Sequence, residues 1–369
     1  HSPFHAPDKY WKPYLDQGVD EREALFFGMI ANIDENLDAL RTWLAAEGLA
    51  ENTLLIFTTD NGTASGGKVF NAGMRGTKNS EYDGGHRVPF FMYWPTAHID
   101  VLPTLIELCD LEGPADYEFD GRSIVPLLED DADDWPDRVI ITDSQRVVDP
   151  IKWRKSATMT DRWRLVNGTE LFDMRADPGQ RQDVAEQHPE VVAGLRAAYD
   201  AWWADISPSF AIDERIVVGH PAENPTTLTA HDWLNDDNGM PPWNQRHIRD
   251  ALPSMGWWAV RVAESGKYRV SLRRWPSEVD QPIRAELPPG AAVPGLEAFR
   301  EAPGRALMVV GARLEISEKA WTQTVSAGDE AAVFEVELEA GEHTLKGVFE
   351  IETEGHEEIG SFYAVVERL

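Results

Sequence analysis

At 369 residues, 42% hydrophobic and 27% charged, the chain has the composition of a globular protein long enough for two or three separate cores. Thirty-four basic side chains against 64 acidic ones give a formal net charge of -30, which argues against nucleic acid or an anionic membrane as partner and requires any anion site to be locally positive. No apolar run approaches the roughly 20 residues that span a bilayer, and Cys109 alone excludes an internal disulfide framework.

In chain order, His1-Ser2-Pro3-Phe4 is neither an initiator methionine nor a basic leader. The sequence therefore reads as processed or truncated, with any targeting signal outside it. Residues 20–47 place Leu25, Met29, Ile33, Leu37, Leu40 and Leu44 at three- and four-residue spacing, which predicts an amphipathic helix stopped at Gly48. TLLIFTT follows as a buried strand ending on Asp60-Asn61-Gly62, one unit of an α/β fold with polar residues at the strand's carboxyl end. A Gly-rich loop covers 63–86 and VPFFMYW (88–94) reads as a second buried strand. Asp100 to Leu111 predicts a helix started by Thr96 or Asp100, with Pro103 in its first turn and Cys109 as a buried thiol among apolar neighbours.

From about 138 the pattern changes to short strands in RVIITDS, SATMTDRWRLV and TELFDM, with a helix from about 188 to 204. Beyond about 209 come RIVVG, WWAVRVA, KYRVSLRRW, RALMVVGARLEI, AAVFEVELE, HTLKGVFEIE and SFYAVVERL, separated by turns such as Glu264-Ser265-Gly266 and Ala340-Gly341. This repetition predicts a β-sandwich or jelly roll. Its aromatics Trp257, Trp258, Trp275 and Trp321 permit sugar stacking, although aromatics in a sandwich usually form core.

Three segments bear chemistry: His1-Ser-Pro-Phe-His5, Phe57-Thr-Thr-Asp60-Asn61-Gly62, and Arg75-Gly-Thr-Lys78 through Asp83-Gly84-Gly85-His86-Arg87. Singly, each has an ordinary reading: a tight turn, a solvated lysine, a histidine without a role. In this order and spacing they resemble the type I, formylglycine-dependent sulfatases of the alkaline phosphatase superfamily. The resemblance runs over approximately residues 1 to 205, through GMIANIDENLDAL, NTLLIFTTDNG, RGTKNSEYDGGHRVPFF, HIDVLPTLIEL, DGRSIVPLL and MTDRWRLVNGTELFDMRADPGQRQDVAEQHPEVV.

A sulfate monoester is an anion whose bridging oxygen gains charge as the S–O bond breaks, so its hydrolysis needs cations, a nucleophile and a proton for the leaving alcohol. The resemblance implies that Asp60 and Asn61 are ligands of one Ca2+, and that Lys78 contacts sulfate and the leaving-group oxygen. It implies that His1 binds sulfate and assists departure of the alcohol, and that Gly84 and Gly85 let the backbone pass close to the site. Arg75 and Arg87 read as structural ion-pair residues, Asp83 and Glu81 as acceptors that anchor the loop, His86 as a loop histidine, and His98 as a packing or capping residue.

The chain departs from the family in lacking the Cys/Ser-x-Pro-x-Arg nucleophile motif, the lysine and histidine that follow it, and the paired aspartates that complete the metal site. The formylglycine is expected on a missing amino-terminal portion of the same protein. Trp94-Pro95-Thr96-Ala97-His98 joins a strand end to a helix start with no connecting loop, where such connections take roughly 2–6 residues, so a segment is expected to be missing there too.

The expected architecture is the carboxyl-terminal portion of an alkaline-phosphatase-like α/β sandwich (1–137), a small antiparallel sheet with a helix (138–208) and a β-sandwich (209–369). The expected activity is hydrolysis of a sulfate monoester on a sulfated small molecule or carbohydrate, at a periplasmic or extracellular location. A phosphoester or phosphonate-ester hydrolase of the same superfamily, and a non-catalytic glycan-binding relative, are the alternatives.

Overall fold

The computed structural model describes residues 3–89, 97–113, 117–129, 135, 137–145, 147, 149–211, 214–235, 241–352 and 357–369. The chain divides into two compact units, one of Ala6–Gln145 with Pro150–Ser209, the other of His1–His5, Arg146–Asp149 and Phe210–Leu369.

The first unit begins with α1 (Asp8–Leu15) and α2 (Glu21–Ala46). Asp20 caps α2 by accepting the Glu23 amide at 3.2 Å, and Gly48, at φ 68°, follows its end. Close packing of α1 requires Gly28, since a Cβ there would lie 2.6 Å from that of Trp11. Ala24 and Leu25 are buried, whereas Ile30, Ile33, Leu40 and Trp43 further along α2 are exposed.

The run 53–59, expected as a buried strand, is assigned no strand among the described residues, where only Thr58 of the run carries a β-bridge, and Leu54 is 47% and Leu55 38% exposed. An apolar run becomes a central strand only when neighbours take its backbone hydrogen bonds. Most of the second expected strand, 90–94, lies outside the described residues.

Next come α3 (Asp83–His86), α4 (Val101–Leu108), preceded by a tight turn at His98–Asp100, and α5 (Val125–Leu128). Pro103 sits in the first turn of α4 as expected, but Cys109 is exposed rather than buried. Thr104 is the buried residue of α4, while Leu102 and Leu108 face outward, so the helical spacing around Cys109 marks a face left uncovered among the described residues.

Asp100 is 1% exposed and ties this region together. It accepts the amides of Ala97 at 2.9 Å and Arg122 at 3.0 Å, and the Arg138 guanidinium through both its oxygens. Burial pushes its pKa up, but Arg138 and the two amides outweigh burial and hold it below the usual carboxylate value. A depressed carboxyl contributes stability above its unfolded pKa and loses it as pH falls through the folded value. Arg138→Met therefore strands a buried carboxylate, and a loss of about 3–5 kcal/mol is expected in denaturant unfolding at pH 7, shrinking toward pH 3 as Asp100 protonates.

The unit closes with β1 (Ile140–Asp143), β2 (Ser156–Met159), β3 (Trp163–Val166), β4 (Glu170–Asp173) and α6 (Pro189–Ile206). The strands form an antiparallel sheet in sequence order, with Ile140 opposite Met159 and Arg164 opposite Phe172. Leu165 and Leu171 of the sheet pack with Leu195 of α6. Tyr199 of α6 stacks on Trp153 at 3.8 Å.

The second unit holds β5 (Ile216–Val218), β6 (Thr226–Thr229), α7 (Gln245–Arg249), β7 (Trp258–Val262), β8 (Gly266–Arg273), β9 (Val309–Ile316), β10 (Lys319–Thr324), β11 (Ala332–Leu338), β12 (Gly341–Ile351), β13 (Glu357–Gly360) and β14 (Tyr363–Arg368). One sheet runs β10-β9-β12-β7-β5 with β13 also on β12; the other runs β11-β8-β14-β6. Among the described residues of this unit, the β5–β7 pair alone is parallel. Tyr268, Val270 and Leu272 of β8 and Val309, Ala312 and Leu314 of β9 belong to one core, so the two sheets face each other across it. Beside this sandwich, Phe4 forms an isolated bridge with Leu296, its amide 2.9 Å from the Leu296 carbonyl.

Of the aromatics that could stack on sugars, three serve the core: Trp258 is 0% and Trp275 2% exposed and Trp321 packs against the core, while Trp257 is half-buried. Arg274 is also fully buried, its guanidinium 4.2 Å from the Trp275 ring centre. It donates to the carbonyls of Ile283 (3.4 Å), Ala285 (3.3 Å) and Arg305. Burial pulls its pKa down to about 9, which leaves it a cation at neutral pH.

Candidate active site

Two stretches of the first unit, Asp60–Thr63 and Arg75–His86, are joined backbone to backbone. The Gly62 amide donates to the Gly85 carbonyl at 2.9 Å and the Lys78 amide to the Thr63 carbonyl at 3.0 Å. These bonds bring the expected metal ligands Asp60 and Asn61 beside the loop that carries Lys78. Asp60 and Lys78 are exposed and Asn61 half-buried. Among the described residues Lys78 has no carboxylate partner, so its ammonium is available to an external anion. His1, expected as the second sulfate-binding group, lies outside the described residues.

The loop holds its shape by packing against itself. A Cβ on Gly62 would lie 1.9 Å from the Gly84 carbonyl oxygen, one on Gly84 2.2 Å from that of Gly76, and one on Gly85 2.0 Å from that of Ser80. The need for glycine at 84 and 85 is thus set by neighbouring protein backbone. The side chain of Asn71 adds bonds to the carbonyls of Met74 (3.1 Å) and Gly76 (2.8 Å).

The small sheet supports this loop from beneath. Asp83, 1% exposed, accepts Arg164 Nε of β3 at 3.1 Å, and its amide donates to Gln180 Oε1 at 2.9 Å. Glu81 accepts Asn167 at 3.0 Å, so both acidic residues anchor the loop as expected. Arg87 lies 3.6 Å from Asp83. Arg75 lies over the Tyr82 ring at 3.8 Å and 3.8 Å from Glu170, whose carboxylate accepts the Tyr82 hydroxyl at 2.6 Å. Burial, then the Glu170 hydrogen bond, pushes the Tyr82 pKa up to about 12, so the phenol stays a donor. Arg164, Glu170 and Gln180 escaped sequence reasoning because their partners lie 81, 88 and 97 residues away and follow no local pattern.

His86 is largely buried, and neither ring nitrogen has a hydrogen-bond partner among the described residues. Burial lowers its pKa below 6.5; the nearby Asp83 opposes that only in part, while Arg164 and Arg87 add to it. The folded state therefore holds a neutral imidazole that the unfolded chain protonates below pH 6.5. Stability is expected to fall as pH drops from 7 to 5, and less so in His86→Gln, when thermal unfolding of the two is compared across that range.

The donor chemistry of Asp60 and Asn61 suits a hard divalent cation, a carboxylate and an amide oxygen on adjacent residues. In the structure the Asn61 amide nitrogen donates to Asp60 Oδ2. Two oxygen donors meet part of the six to eight that Ca2+ takes, and no group of three His, Cys, Asp or Glu side chains that could hold a metal occurs among the described residues.

A family model for sulfatases matches residues 1–109. The chain is 29% identical over 139 residues to the uncharacterized sulfatase YdeN of Escherichia coli, covering 34% of this chain and 24% of that protein. It is 26% identical over 208 residues to an N-acetylgalactosamine-6-O-sulfatase of Bacteroides thetaiotaomicron, covering 45% of this chain and 39% of the relative. With chicken (Gallus gallus) arylsulfatase K it shares 23% identity over 294 residues, covering 73% and 50%. The chain thus spans between a quarter and a half of the length of these relatives. Among solved structures, Ps i-CgsB in complex with k-i-k-neocarrahexaose aligns with a TM-score of 0.46 and 21% identity, over 55% of this chain and 47% of that one.

Proposed function

The amino-terminal part of this chain belongs to the sulfatase family, and from that premise we propose that the protein hydrolyses a sulfate monoester of a carbohydrate. The observation that carries the reading is the backbone pairing of Asp60–Thr63 with the Lys78 loop, which sets an oxygen donor pair beside an ammonium with no carboxylate partner among the described residues. A carbohydrate substrate is supported by the relative named as an N-acetylgalactosamine-6-O-sulfatase.

In this reading Lys78 binds a sulfate oxygen and offsets the charge that grows on the bridging oxygen. His1 shares the sulfate and supplies the proton to the leaving alcohol. Asp60 and Asn61 would hold a Ca2+, which when bound supplies further positive charge at the sulfate. The nucleophile, a formylglycine, comes from a portion of the protein outside this sequence. Exposed Ile33, Leu40 and Trp43 on α2, with Leu54 and Leu55, offer an apolar surface on which that portion can pack. No helix among the described residues is long and apolar enough to cross a membrane, and a periplasmic or extracellular location fits a polymeric substrate.

Protein containing this chain is expected to release sulfate from 4-nitrophenyl sulfate and from 6-sulfated N-acetylgalactosamine, and to yield a formylglycine peptide in mass spectrometry. Hydrolysis of a phosphate ester with none of a sulfate ester would overturn the assignment.

A further inference from the structure

Immediately before Lys78 the loop forms one wall of an open cleft of about 450 Å³, lined by Gly73, Met74, Arg75, Gly179, Gln180 and Arg181. Two guanidinium side chains and no carboxylate line it, in a chain whose net charge is -30. The two walls touch at Gly179, where a Cβ would lie 3.1 Å from the Gly73 carbonyl oxygen and 3.1 Å from Arg181 Nε.

The two arginines differ in what holds them. Arg75 is fixed, its Nη1 donating to the Gln180 carbonyl at 3.1 Å, with Glu170 at 3.8 Å and the Tyr82 ring beneath it. Arg181 has no carboxylate partner among the described residues. Its neighbours do: Arg175 pairs with Asp161 at 2.6 Å and Arg162 with Asp173 at 2.7 Å. The acid nearest in sequence, Asp177, spends one oxygen on the backbone amides of Arg181 (2.5 Å) and Gln182 (2.7 Å). An acidic protein that pairs its other guanidiniums here keeps this one open to a cleft beside the Lys78 loop.

We propose that this cleft is an anion subsite for a second sulfate group of the substrate, with Arg181 as the residue that selects it. The inference rests on the sulfatase reading above and narrows its substrate class to carbohydrates carrying at least two sulfates. A guanidinium fork suits the task because it donates two parallel hydrogen bonds to an oxyanion.

The test is calorimetric titration of the protein that contains this chain with two disaccharides of the same sugars, one monosulfated and one disulfated. The wild type is expected to prefer the disulfated probe about tenfold, the effect of one charge-assisted contact, and Arg181→Gln to bring that ratio close to one. A wild type without preference, or an Arg181→Gln variant that keeps it, overturns the subsite. If Lys78→Ala still abolishes binding of the monosulfated probe in that case, the sulfatase reading stands. Failure of the wild type to bind either probe overturns both.

Discussion

Replacing Lys78 with alanine is expected to lower kcat/KM for a sulfate monoester by about 10²–10³, the usual cost of removing one preorganised contact to developing charge. Asp60→Ala is expected to fall at least as far, through loss of the carboxylate assigned to the metal. Both side chains are exposed, and exposed substitutions usually change stability by less than about 0.5 kcal/mol, so thermal unfolding should hardly move. That separation is the informative part. Gly85→Ala would also abolish activity, but by driving a Cβ into the Ser80 carbonyl oxygen, 2.0 Å away, and deforming the loop. Steady-state kinetics with a melting curve on the same samples decide the matter. Near-normal turnover in both Lys78→Ala and Asp60→Ala would remove them from the site.

A loss of stability as large as that of Arg138→Met is expected at Arg274. Its guanidinium joins Trp275 to the carbonyls of Ile283 and Ala285, on one loop, and of Arg305, on another. Arg274→Met keeps much of the volume but leaves the buried Ile283 carbonyl and the part-buried Ala285 and Arg305 carbonyls without this donor, at up to about 1–3 kcal/mol each. Allowing for partial relaxation, a loss of about 3–5 kcal/mol follows, which for a unit of this size is roughly 10–15 °C in melting temperature. Arg274→Lys should recover less than half of it, since one compact ammonium cannot reach acceptors spread across a planar fork. Scanning calorimetry showing either variant within about 2 °C of the wild type would mean that solvent or relaxation satisfies the carbonyls.

Periodicity made much of the fold legible. The three- and four-residue spacing after Asp20 located α2 within a residue or two, and alternation in Tyr268, Val270 and Leu272 located β8 and its inward face. Strands β6, β10 and β13 were missed because they are short or polar: Lys319–Thr324 carries one large apolar residue, Trp321, and sits at a sheet edge. The errors at 53–59 and Cys109 share one cause. Apolar spacing reports which face a segment can bury, whereas burial itself depends on a partner surface. At the site, Asp60, Asn61 and Lys78 were legible through the order of the family's segments, and the structure adds how two of those segments are joined. Nothing local could have shown that Tyr82 answers to Glu170, or Asp83 to Arg164 and Gln180. Those pairings exist only once β3 and β4 lie under the loop.

The bridge between Phe4 and Leu296 bears on how this protein can be cut. Phe4 stands three positions after His1, the histidine proposed to bind the sulfate, and its bridge partner Leu296 belongs to the carboxyl-terminal unit. Trimming the chain near residue 210 would remove the backbone partner of Phe4. What the contact shows is that Phe4, near the start of the sequence, is held by a residue almost three hundred positions away, so the carboxyl-terminal unit is not complete without the first few residues.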